Sequence, residues 1–298
     1  MKTEIFLELQ VQTVLFSKKE TFLECVQSLM SEKIILVAND DGFDSEGIKQ
    51  LALQMQSLGK VMIVAPTVQR SGESKSITFS RPLRTAKVDG FPFPAYSVDG
   101  TPADSVIIGK HLAKKEFGRE PDLVVSGINS GDNTSVHALL TSGTCAAAFE
   151  SSLIGIPAIA FSKEVKTEEI FFASGSETSD YVPSAKRAHE IVKFVLEHDL
   201  PKDIRFLNVN FPATTNDQTP IEIVTLAPEK YINDVIEQQD PRNTTIYWIW
   251  GDATSDLLPN TDAHVLVVKK HITITPISLG FGRWAQEPLK EYFKSIVK

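Results

Sequence analysis

An uninterrupted apolar segment, Ile34–Ala38, ends in the sequence Asn-Asp-Asp-Gly at residues 39–42. Five consecutive apolar residues, three of them β-branched, predict a strand buried on both faces, as the strands of parallel sheets are. Asn, Asp and Gly are typical turn residues, so we expect a sharp turn at the carboxyl end of this strand. Ligands bind at that edge in open α/β sheets. This segment therefore predicts both a fold class and the place of a functional site.

Asp40 and Asp41 put two adjacent carboxylates into this turn. Neighbouring carboxylates repel each other unless one is protonated or a cation lies between them. A hard divalent cation, which prefers oxygen ligands, would satisfy both groups. The alternative is a polar turn whose aspartates hydrogen-bond their own backbone. On this segment alone, both interpretations stay open.

Length and charge limit the classes of partner. A chain of 298 residues suits one large domain or a domain with a substantial appendage. The net charge of −8 lacks the positive field of a surface that binds bulk nucleic acid, although small phosphates need only local positive charge. No apolar run is long enough to span a bilayer, so we expect no membrane partner. Cys25 and Cys145 form neither a metal-binding nor a disulfide pattern, which favours a cytoplasmic location.

The first residues of the chain are set apart from the rest. Residues 1–29 mix apolar and charged side chains without the core of a signal peptide, and the Met-Ser-Glu-Lys sequence before Ile34 resembles a natural start. We therefore expect an N-terminal extension over residues 1–29 and one domain over residues 30–298. Its core is predicted to span about residues 30–220, and an arm with the C-terminal elements about residues 221–298.

A βαβ unit follows the first turn. Apolar residues recur at helical spacing over residues 45–58, and residues 61–65 form a second buried strand, so the sheet is predicted to be parallel. Residues 77–98 resemble short antiparallel strands inserted in the sheet or lying at its edge. Thr101 is the expected N-cap of a helix with Pro102 at its first position. Further strands are predicted at residues 123–126, 156–161 and 206–211, and further helices from residue 145 and over residues 181–198.

The character of the chain changes at about residue 220. Residues 244–252 read as a strand rich in aromatic side chains, and an exposed strand of this kind is an aggregation hazard unless something covers it. Two interpretations stay open: the strand packs on its own domain, or it forms an oligomer contact or an arm exchanged between subunits. Beyond it we expect a helix over residues 262–271, a strand over residues 272–277 and a terminal helix over residues 288–297.

We expect four strand ends to contribute polar loops to one edge of the sheet. The set is rich in oxygen ligands and lacks histidine and cysteine, which suits Mg²⁺ or Mn²⁺ rather than zinc. It contains no Walker A segment and no G-x-G-x-x-G sequence. Hydroxyls and free amides at a helix start form an anion site, whose charge balance Arg70 or Lys75 could complete. The loops are residues 39–41, 70–72, 127–129 and 142–144.

The ordered set of motifs in this chain resembles the SurE family of metal-dependent nucleotidases, from about residue 30 to residue 279. Each motif alone is weak, and their order makes the resemblance specific. The matching sequences are Ala-Asn-Asp-Asp-Gly at residues 38–42, Arg-Ser-Gly at 70–72, Val-Asp-Gly-Thr-Pro-Ala-Asp at 98–104, Ser-Gly-Ile-Asn-Ser-Gly at 126–131, Ser-Gly-Thr at 142–144, Leu-Asn-Val-Asn-Phe-Pro at 207–212, Asp-Pro-Arg at 240–242, Thr-Asp at 261–262 and Ile-Thr-Pro at 274–276.

The resemblance implies an α/β fold with a Rossmann-like three-layer core, a mostly parallel sheet and a C-terminal β-rich extension used to form a homodimer or homotetramer. It also implies hydrolysis of nucleoside monophosphates with Mg²⁺ or Mn²⁺; cleavage of 3′-esters and polyphosphate stays open. The metal ligands it implies are Asp40, Asp41, Ser71 and Asn129. Residues implied to line the phosphate site are Asn39, Asn133, Ser142, Gly143 and Thr144, and among all of these we assign catalytic roles to Asp40, Asn39 and Asn133.

Two positions depart from the family pattern. Thr141 stands where the family usually has Tyr, and Ser135 stands where it usually has Gly, which narrows the backbone choices of that loop. Two rival hypotheses about function also remain. One is a phosphatase that uses an aspartate as its nucleophile, and the other is a nucleotide-binding protein without catalytic activity.

Overall fold

The computed structural model describes residues 32–165, 180–280 and 286–294. The expected extension over residues 1–29 lies outside the described residues, and the fold is that of the unit Ile34–Lys298. Among the described helices, none combines the length and the apolar character needed to cross a membrane.

The described strands and helices alternate along most of the chain. The strands are β1 (Ile34–Ala38), β2 (Lys60–Pro66), β3 (Thr85–Lys87), β4 (Ala95–Val98), β5 (Leu123–Ser130), β6 (Ala158–Lys163), β7 (Phe206–Phe211), β8 (Ile221–Ile223), β9 (Tyr231–Gln239), β10 (Thr245–Ala253) and β11 (Ile272–Ile277). The helices are α1 (Glu46–Met55), α2 (Pro102–Phe117), α3 (Val136–Thr141), α4 (Gly143–Leu153), α5 (Val182–Glu197), α6 (Asp262–His264) and α7 (Gln286–Tyr292).

Nine of the described strands form one sheet in the order β3-β4-β2-β1-β5-β6-β7-β11-β8. The six strands from β4 to β7 in this order are mutually parallel, whereas β3 and β11 run antiparallel to their neighbours β4 and β7. The predicted α/β class with a mostly parallel sheet is confirmed. The prediction of short antiparallel pairing at the sheet edge near residues 77–98 also holds for β3.

Helices cover both faces of the sheet and make the core three-layered. On one face, Ile48 and Leu51 of α1 and Ala188 of α5 pack against alternate residues of the central strands. On the other face, Val106 of α2 and Ala147 of α4 pack against the remaining residues of those strands. Each central strand is therefore buried on both sides, as the continuous apolar run in β1 predicts.

The order of the strands creates a crevice beside β1. The chain leaves β1 toward β2 on one side and later returns to place β5 on the other side. At such a switch point the connecting segments diverge, and the space outside the carboxyl ends of the two strands becomes the natural ligand site of the fold. Asp40 follows β1, and Asn129 lies near the end of β5, so the topology alone brings both residues to one crevice.

Local sequence signals account for several boundaries. Thr101 caps α2 as predicted, because its hydroxyl accepts from the amide of Asp104 while the Asp104 carboxylate accepts from the amide of Thr101. This reciprocal arrangement is a capping box. Ser45 is the N-cap residue of α1, but within the described residues its side chain makes no capping bond and accepts a 2.8 Å bond from Asn39 instead.

Three predicted elements differ in kind or extent from the observed ones, besides a shift of two residues in β6, which was predicted at residues 156–161. The strand expected to end at residue 126 continues to Ser130, because a shift of register between Ser126 and Asn129 lets β5 stay paired with β6. The single helix expected over residues 262–271 is a short α6 followed by a π-helical turn, Val265–Lys269. The segment at residues 142–144 is the start of α4 and not a strand end, since the unpredicted helix α3 precedes it.

β9 and β10 form a separate two-stranded hairpin with nine paired residues on each strand. It includes the predicted aromatic strand. Most of the surface of three of its large side chains is exposed within the described chain: Tyr247 (63%), Trp248 (58%) and Ile249 (85%). These side chains therefore do not pack on their own domain in the described residues. Use of this hairpin in oligomerisation stays a prediction.

Candidate active site

Asp40 lies at the carboxyl end of β1 and is almost completely buried. Its carboxylate accepts a 3.1 Å hydrogen bond from the backbone amide of Gly143 and another from the hydroxyl of Thr144. Burial raises the pKa of Asp40, and the bonds from Thr144 and Gly143 oppose that rise. The first turn of α4, where free amides favour negative charge, thus directly faces the first carboxylate of the Asp-Asp pair.

Gly143 is required at the start of α4 by this close approach. A Cβ atom added there would lie 2.6 Å from Cβ of Asp40, 2.8 Å from its Oδ2 and 3.0 Å from Cγ of Pro102. Carbon atoms in ordinary contact lie about 3.5–4.0 Å apart. Any larger residue would therefore push the Asp40 carboxylate out of its position.

Asp41, the second carboxylate, points toward a different set of groups. It accepts a 3.1 Å hydrogen bond from the backbone amide of Ser130 at the end of β5. The side-chain amide of Gln69 donates to both Asp41 (3.4 Å) and the hydroxyl of Ser71 (3.0 Å). Gln69 was not among the predicted site residues, and its position in the polar loop after β2 is the only sequence signal for it.

Asn129 completes the set of predicted metal ligands. Its side-chain amide donates a 2.7 Å bond to the carbonyl of Gly131, which turns its Oδ1 toward the site. This oxygen lies 3.5 Å from the hydroxyl of Thr144, the same hydroxyl that donates to Asp40. Thr144 therefore links Asp40 with Asn129, as Gln69 links Asp41 with the Ser71 loop.

The chemistry of these groups fits a hard cation. Two carboxylates, one hydroxyl and one amide carbonyl supply only oxygen atoms, which Mg²⁺ and Mn²⁺ prefer. The ranges 32–165, 180–280 and 286–294 contain no group of three or more His, Cys, Asp and Glu side chains that could hold a metal. A metal site in this part of the chain would have to include neutral oxygen ligands such as Ser71 and Asn129.

Asn39 is fully buried and shapes the turn. Its amide group donates 2.8 Å bonds to the carbonyl of Gly42 and to the hydroxyl of Ser45, and its Oδ1 accepts from the amide of Gly42 at 3.2 Å. Both amide hydrogens are used within the turn. In this geometry Asn39 fixes how the turn presents the two carboxylates, and the catalytic role assigned to it stays a prediction.

Asn133 is held by two asparagines of β7 that were not predicted as site residues. Its backbone amide donates to Oδ1 of Asn210 at 2.7 Å, and its carbonyl accepts from Nδ2 of Asn208 at 2.9 Å. Its own side chain donates a 2.8 Å bond to the hydroxyl of Ser162 on β6. The available sequence signal was two asparagines at alternate positions of an otherwise apolar strand, where polar residues are costly.

Ser142 is the N-cap of α4, and its hydroxyl accepts a 3.1 Å bond from the amide of Cys145. The hydroxyl hydrogen of Ser142 is not used in that bond. Ser142, Gly143 and Thr144 are all buried and lie together at the helix start. The predicted phosphate-binding segment therefore has the geometry of an anion site.

The two cations expected to complete the charge balance are engaged elsewhere. Arg70 pairs with Glu73 at 3.1 Å, and Lys75 pairs with the buried carboxylate of Glu150 at 2.5 Å. The helix start, by contrast, directly contacts Asp40 through the Gly143 amide and the Thr144 hydroxyl. The backbone of Arg70 does contribute, since its amide donates a 2.7 Å bond to the carbonyl of Asp40.

The loop that carries Asn133 is also attached to the C-terminal part of the chain. Lys230, at the base of the β9–β10 hairpin, forms a buried ion pair of 2.5 Å with Asp132. Burial lowers the pKa of Lys230, but the charges of Asp132 and Tyr231 outweigh it and leave a net rise. Asp262 accepts a 3.0 Å bond from the amide of Ser135. The hairpin base and the site loop therefore share buried polar contacts.

Comparisons with known proteins place the chain in a family. The sequence model of the family described as survival protein SurE matches residues 35–233. The chain is 42% identical to the 5′-nucleotidase SurE of Methanosarcina acetivorans over 253 residues, which cover 84% of this chain and 93% of that protein. It is 38% identical over 256 residues to the 5′-nucleotidase SurE of Hyperthermus butylicus, covering 84% of this chain and 88% of that protein. The crystal structure of the SurE protein from Aquifex aeolicus superposes with a TM-score of 0.71 at 33% identity, over 88% of this chain and 99% of that one.

Proposed function

This chain belongs to the SurE family, and from that membership we propose which of its residues carry out the reaction. It is a metal-dependent 5′-nucleotidase, a hydrolase of phosphoric monoesters. The observation that carries the residue assignment is the convergence of Asp40, Asp41 and Asn129 with the start of α4 at the switch point of the sheet. This is where the fold binds ligands.

Asp40, Asp41, Ser71 and Asn129 would hold the divalent cation, which we assign as Mg²⁺ or Mn²⁺ from their all-oxygen chemistry. When bound, such a cation polarises a phosphoryl oxygen and lowers the pKa of a coordinated water molecule. Hydrogen bonds from Ser130 and Gln69 orient the side chains of Asp41 and Ser71 within the protein itself. Such preorganisation lowers the cost of binding.

The remaining residues act on the phosphate and on the attacking water. Ser142 and Thr144, with the Gly143 amide, hold the phosphoryl oxygens and stabilise the charge that spreads over them in the transition state. Asp40 orients the attacking water and accepts its proton. Asn39 keeps the turn in place through its bonds to Gly42 and Ser45, and Asn133 supports the phosphate from the opposite loop.

The decisive experiment is phosphate release from a panel of nucleoside 5′- and 3′-monophosphates and polyphosphate, with EDTA and with added Mg²⁺ or Mn²⁺. Asp40→Asn should lose most of the activity while its circular dichroism stays unchanged. Asp122→Asn is the matched control, because Asp122 bonds to Ile34 at the opposite ends of the same strands. Wild-type turnover in Asp40→Asn would refute the assignment.

The same reaction, with an acid quench added, separates the rival hypotheses. A phosphatase with an aspartate nucleophile would leave a covalent phosphoenzyme that can be trapped by acid quenching. A protein that only binds nucleotides would release no phosphate with either metal. The expected outcome is hydrolysis that depends on the metal and proceeds without a phosphoenzyme.

The β9–β10 hairpin is the element through which this chain forms a homodimer or homotetramer. A two-stranded hairpin alone is marginally stable in water, and Tyr247, Trp248 and Ile249 leave a large apolar surface exposed on it. A second copy of the hairpin or of the domain would bury that surface. Light scattering should show an oligomer for the wild type and a smaller species for Trp248→Glu.

Two further assignments belong to the same proposal. Residues 1–29 are an extension that precedes the catalytic domain, which is supported by the start of the family match at residue 35. A cytoplasmic location is supported by the free buried thiol of Cys145. Deletion of residues 1–29 would test the first, since loss of folding and of phosphatase activity on that deletion would contradict it.

A further inference from the structure

We propose that Asn208 and Asn210 are positioning residues, which hold the peptide groups on either side of Asn133 and so fix its side chain for phosphate binding. This inference rests on the role assigned to Asn133 under the proposed function. It gives a function to the Leu-Asn-Val-Asn-Phe segment of β7, whose asparagines are not explained by packing.

The contact between β7 and the site loop is a two-point clamp. Asn210 accepts from the amide of Asn133 at 2.7 Å, and Asn208 donates to the carbonyl of the same residue at 2.9 Å. Both asparagines are fully buried. Because the backbone donor and acceptor of one residue are both fixed by side chains of one rigid strand, the loop cannot rotate at Asn133 without breaking a buried hydrogen bond. Leaving such a group unpaired costs about 1–3 kcal/mol.

The side chain of Asn133 is oriented from the same direction. Its Nδ2 donates a 2.8 Å bond to the hydroxyl of Ser162. Ser162 pairs with Asn210 in the register of β6 and β7, so both residues lie on one face of the sheet. The backbone and the side chain of Asn133 are thus both held by hydrogen bonds to side chains of the strands β6 and β7.

Several polar side chains on this face of the sheet are buried without using all of their hydrogen-bonding groups. Among the described residues, the buried Nδ2 atom of Asn210 has no hydrogen-bond partner, and the same holds for the hydroxyls of Thr273 and Thr275 on the adjacent strand β11. Apolar side chains of similar size at these positions would avoid the cost of burying unpaired polar atoms. The face therefore retains polar groups at a cost in stability, and for Asn208 and Asn210 the compensating role is the clamp on Asn133.

Asn210→Leu and Asn208→Leu test the clamp, because each removes one bond to Asn133 and keeps the branching of the side chain at Cγ. We expect kcat to fall about 10- to 100-fold in each, since a shift of about 1 Å in a positioned group costs about 100-fold. Asn210→Asp keeps an acceptor for the Asn133 amide and should recover most of that loss. Thr273→Val is the matched control, because it changes a buried residue on the same face whose hydroxyl has no partner in the described chain, and its kcat should equal that of the wild type.

A double-mutant cycle with Asn133→Ala separates positioning from general destabilisation. If Asn210 acts through the Asn133 side chain, Asn210→Leu should change kcat by less than about twofold in the Asn133→Ala background, since contacting residues that act as a unit are not additive. An equal loss in both backgrounds would overturn the proposal. Binding of inorganic phosphate, measured by calorimetry with Mg²⁺ present, should weaken in Asn210→Leu and stay unchanged in Thr273→Val.

The outcomes also distinguish this inference from the proposed function. No phosphate release from the wild type would reject the function itself. Full activity of Asn210→Leu and Asn208→Leu beside an inactive Asn133→Ala would reject only the clamp. Should Asn210→Leu not fold, as judged by its thermal unfolding, Asn208→Leu decides, because it leaves the Asn133 amide bonded to Asn210.

Discussion

Replacing Ser135 by glycine should stabilise the protein. Ser135 has φ 84° and ψ 160°, a backbone conformation that side chains other than glycine rarely adopt. It also occupies the position at which the family usually has glycine. A residue held in such a region costs of order 1–3 kcal/mol. The surrounding contacts impose this conformation, because the Ser135 amide donates to buried Asp262 and its carbonyl accepts from Leu139 at 3.0 Å each.

Ser135→Gly relieves the strain and keeps both backbone bonds. Two smaller losses offset part of this gain. A glycine N-cap is only a few tenths of a kcal/mol less stable than a serine N-cap, and glycine costs about 0.4–1 kcal/mol because it raises the conformational entropy of the unfolded chain. The capping bond that is lost, from the amide of Ala138 to Oγ of Ser135, is long at 3.4 Å. About 1 kcal/mol of net stabilisation remains, which raises Tm by about 2 °C in a chain of this size.

Differential scanning calorimetry and urea unfolding measure this effect, and Ser135→Ala is the matched control. Alanine keeps the strained backbone and loses the capping hydroxyl, so Ser135→Ala should be about 1 kcal/mol less stable than the wild type. The order of stability is therefore Gly above Ser above Ala. A glycine variant that is no more stable than the wild type would refute the argument from strain.

Three further predictions follow from buried contacts of the site and its neighbours. Gly143→Ala should lower kcat about 100-fold with unchanged circular dichroism, because its Cβ would lie 2.6 Å from Cβ of Asp40. Lys230→Met should lower the free energy of unfolding in urea by about 3–5 kcal/mol, because it leaves the carboxylate of Asp132 buried without its partner. Burial raises the pKa of Cys145 to about 12, from 9.0, so its neutral thiol should resist alkylation at pH 8 until urea unfolds the protein. The native state binds this proton more tightly than the unfolded chain does, so the stability gained from the neutral thiol should be lost as pH rises from about 9 to about 12.

Controls for these predictions are present in the chain. Lys269→Met removes an ammonium from an exposed pair with Glu222 at 2.9 Å, and exposed pairs contribute about 0–1 kcal/mol, so it should change stability little. Gly90→Ala places a Cβ in open space within the described structure, although at a positive φ of 96°, and it should leave kcat unchanged. Equal effects in test and control variants would contradict the role of burial. Rapid alkylation of native Cys145 would contradict the raised pKa.

Strands rich in β-branched and aromatic residues were predicted best from the sequence. The bounds of β1, β7 and β11 match the predictions, because each strand consists largely of strand-forming residues and is followed by a turn residue or by proline. The extension of β5 to Ser130 was missed, since it depends on pairing with β6 across a shift of register. Such pairing is a property of two strands together, which the local pattern of one strand does not contain.

For the site, the placement of residues was predictable from the sequence and their orientation was not. Asp40, Asp41 and Asn129 were placed at one edge because topology decides which loops meet there. Their orientation could not be predicted, because it depends on contacts between residues far apart in the chain, such as those from Gln69 to Asp41 and from Thr144 to Asn129. Arg70 was assigned to the ligand on charge alone. In the structure it pairs with Glu73 three residues further on, and the sequence did not decide between Glu73 and a ligand as its partner.

The charge arrangement gives a physical reason for the metal dependence of this enzyme. The start of α4 is polarised for an anion, yet its Gly143 amide and Thr144 hydroxyl already donate to the buried carboxylate of Asp40. A phosphate dianion that approaches these donors meets a like charge in a poorly solvated site, where repulsion is strong. Positive charge supplied between the carboxylates and the phosphate removes that repulsion, and with Arg70 and Lys75 engaged elsewhere, the oxygen ligands around Asp40 are suited to hold it. The Gly143 amide and the Thr144 hydroxyl carry one hydrogen each, so each can donate to the phosphate only by sharing or giving up its bond to Asp40, and a cation that neutralises the carboxylate makes that exchange less costly.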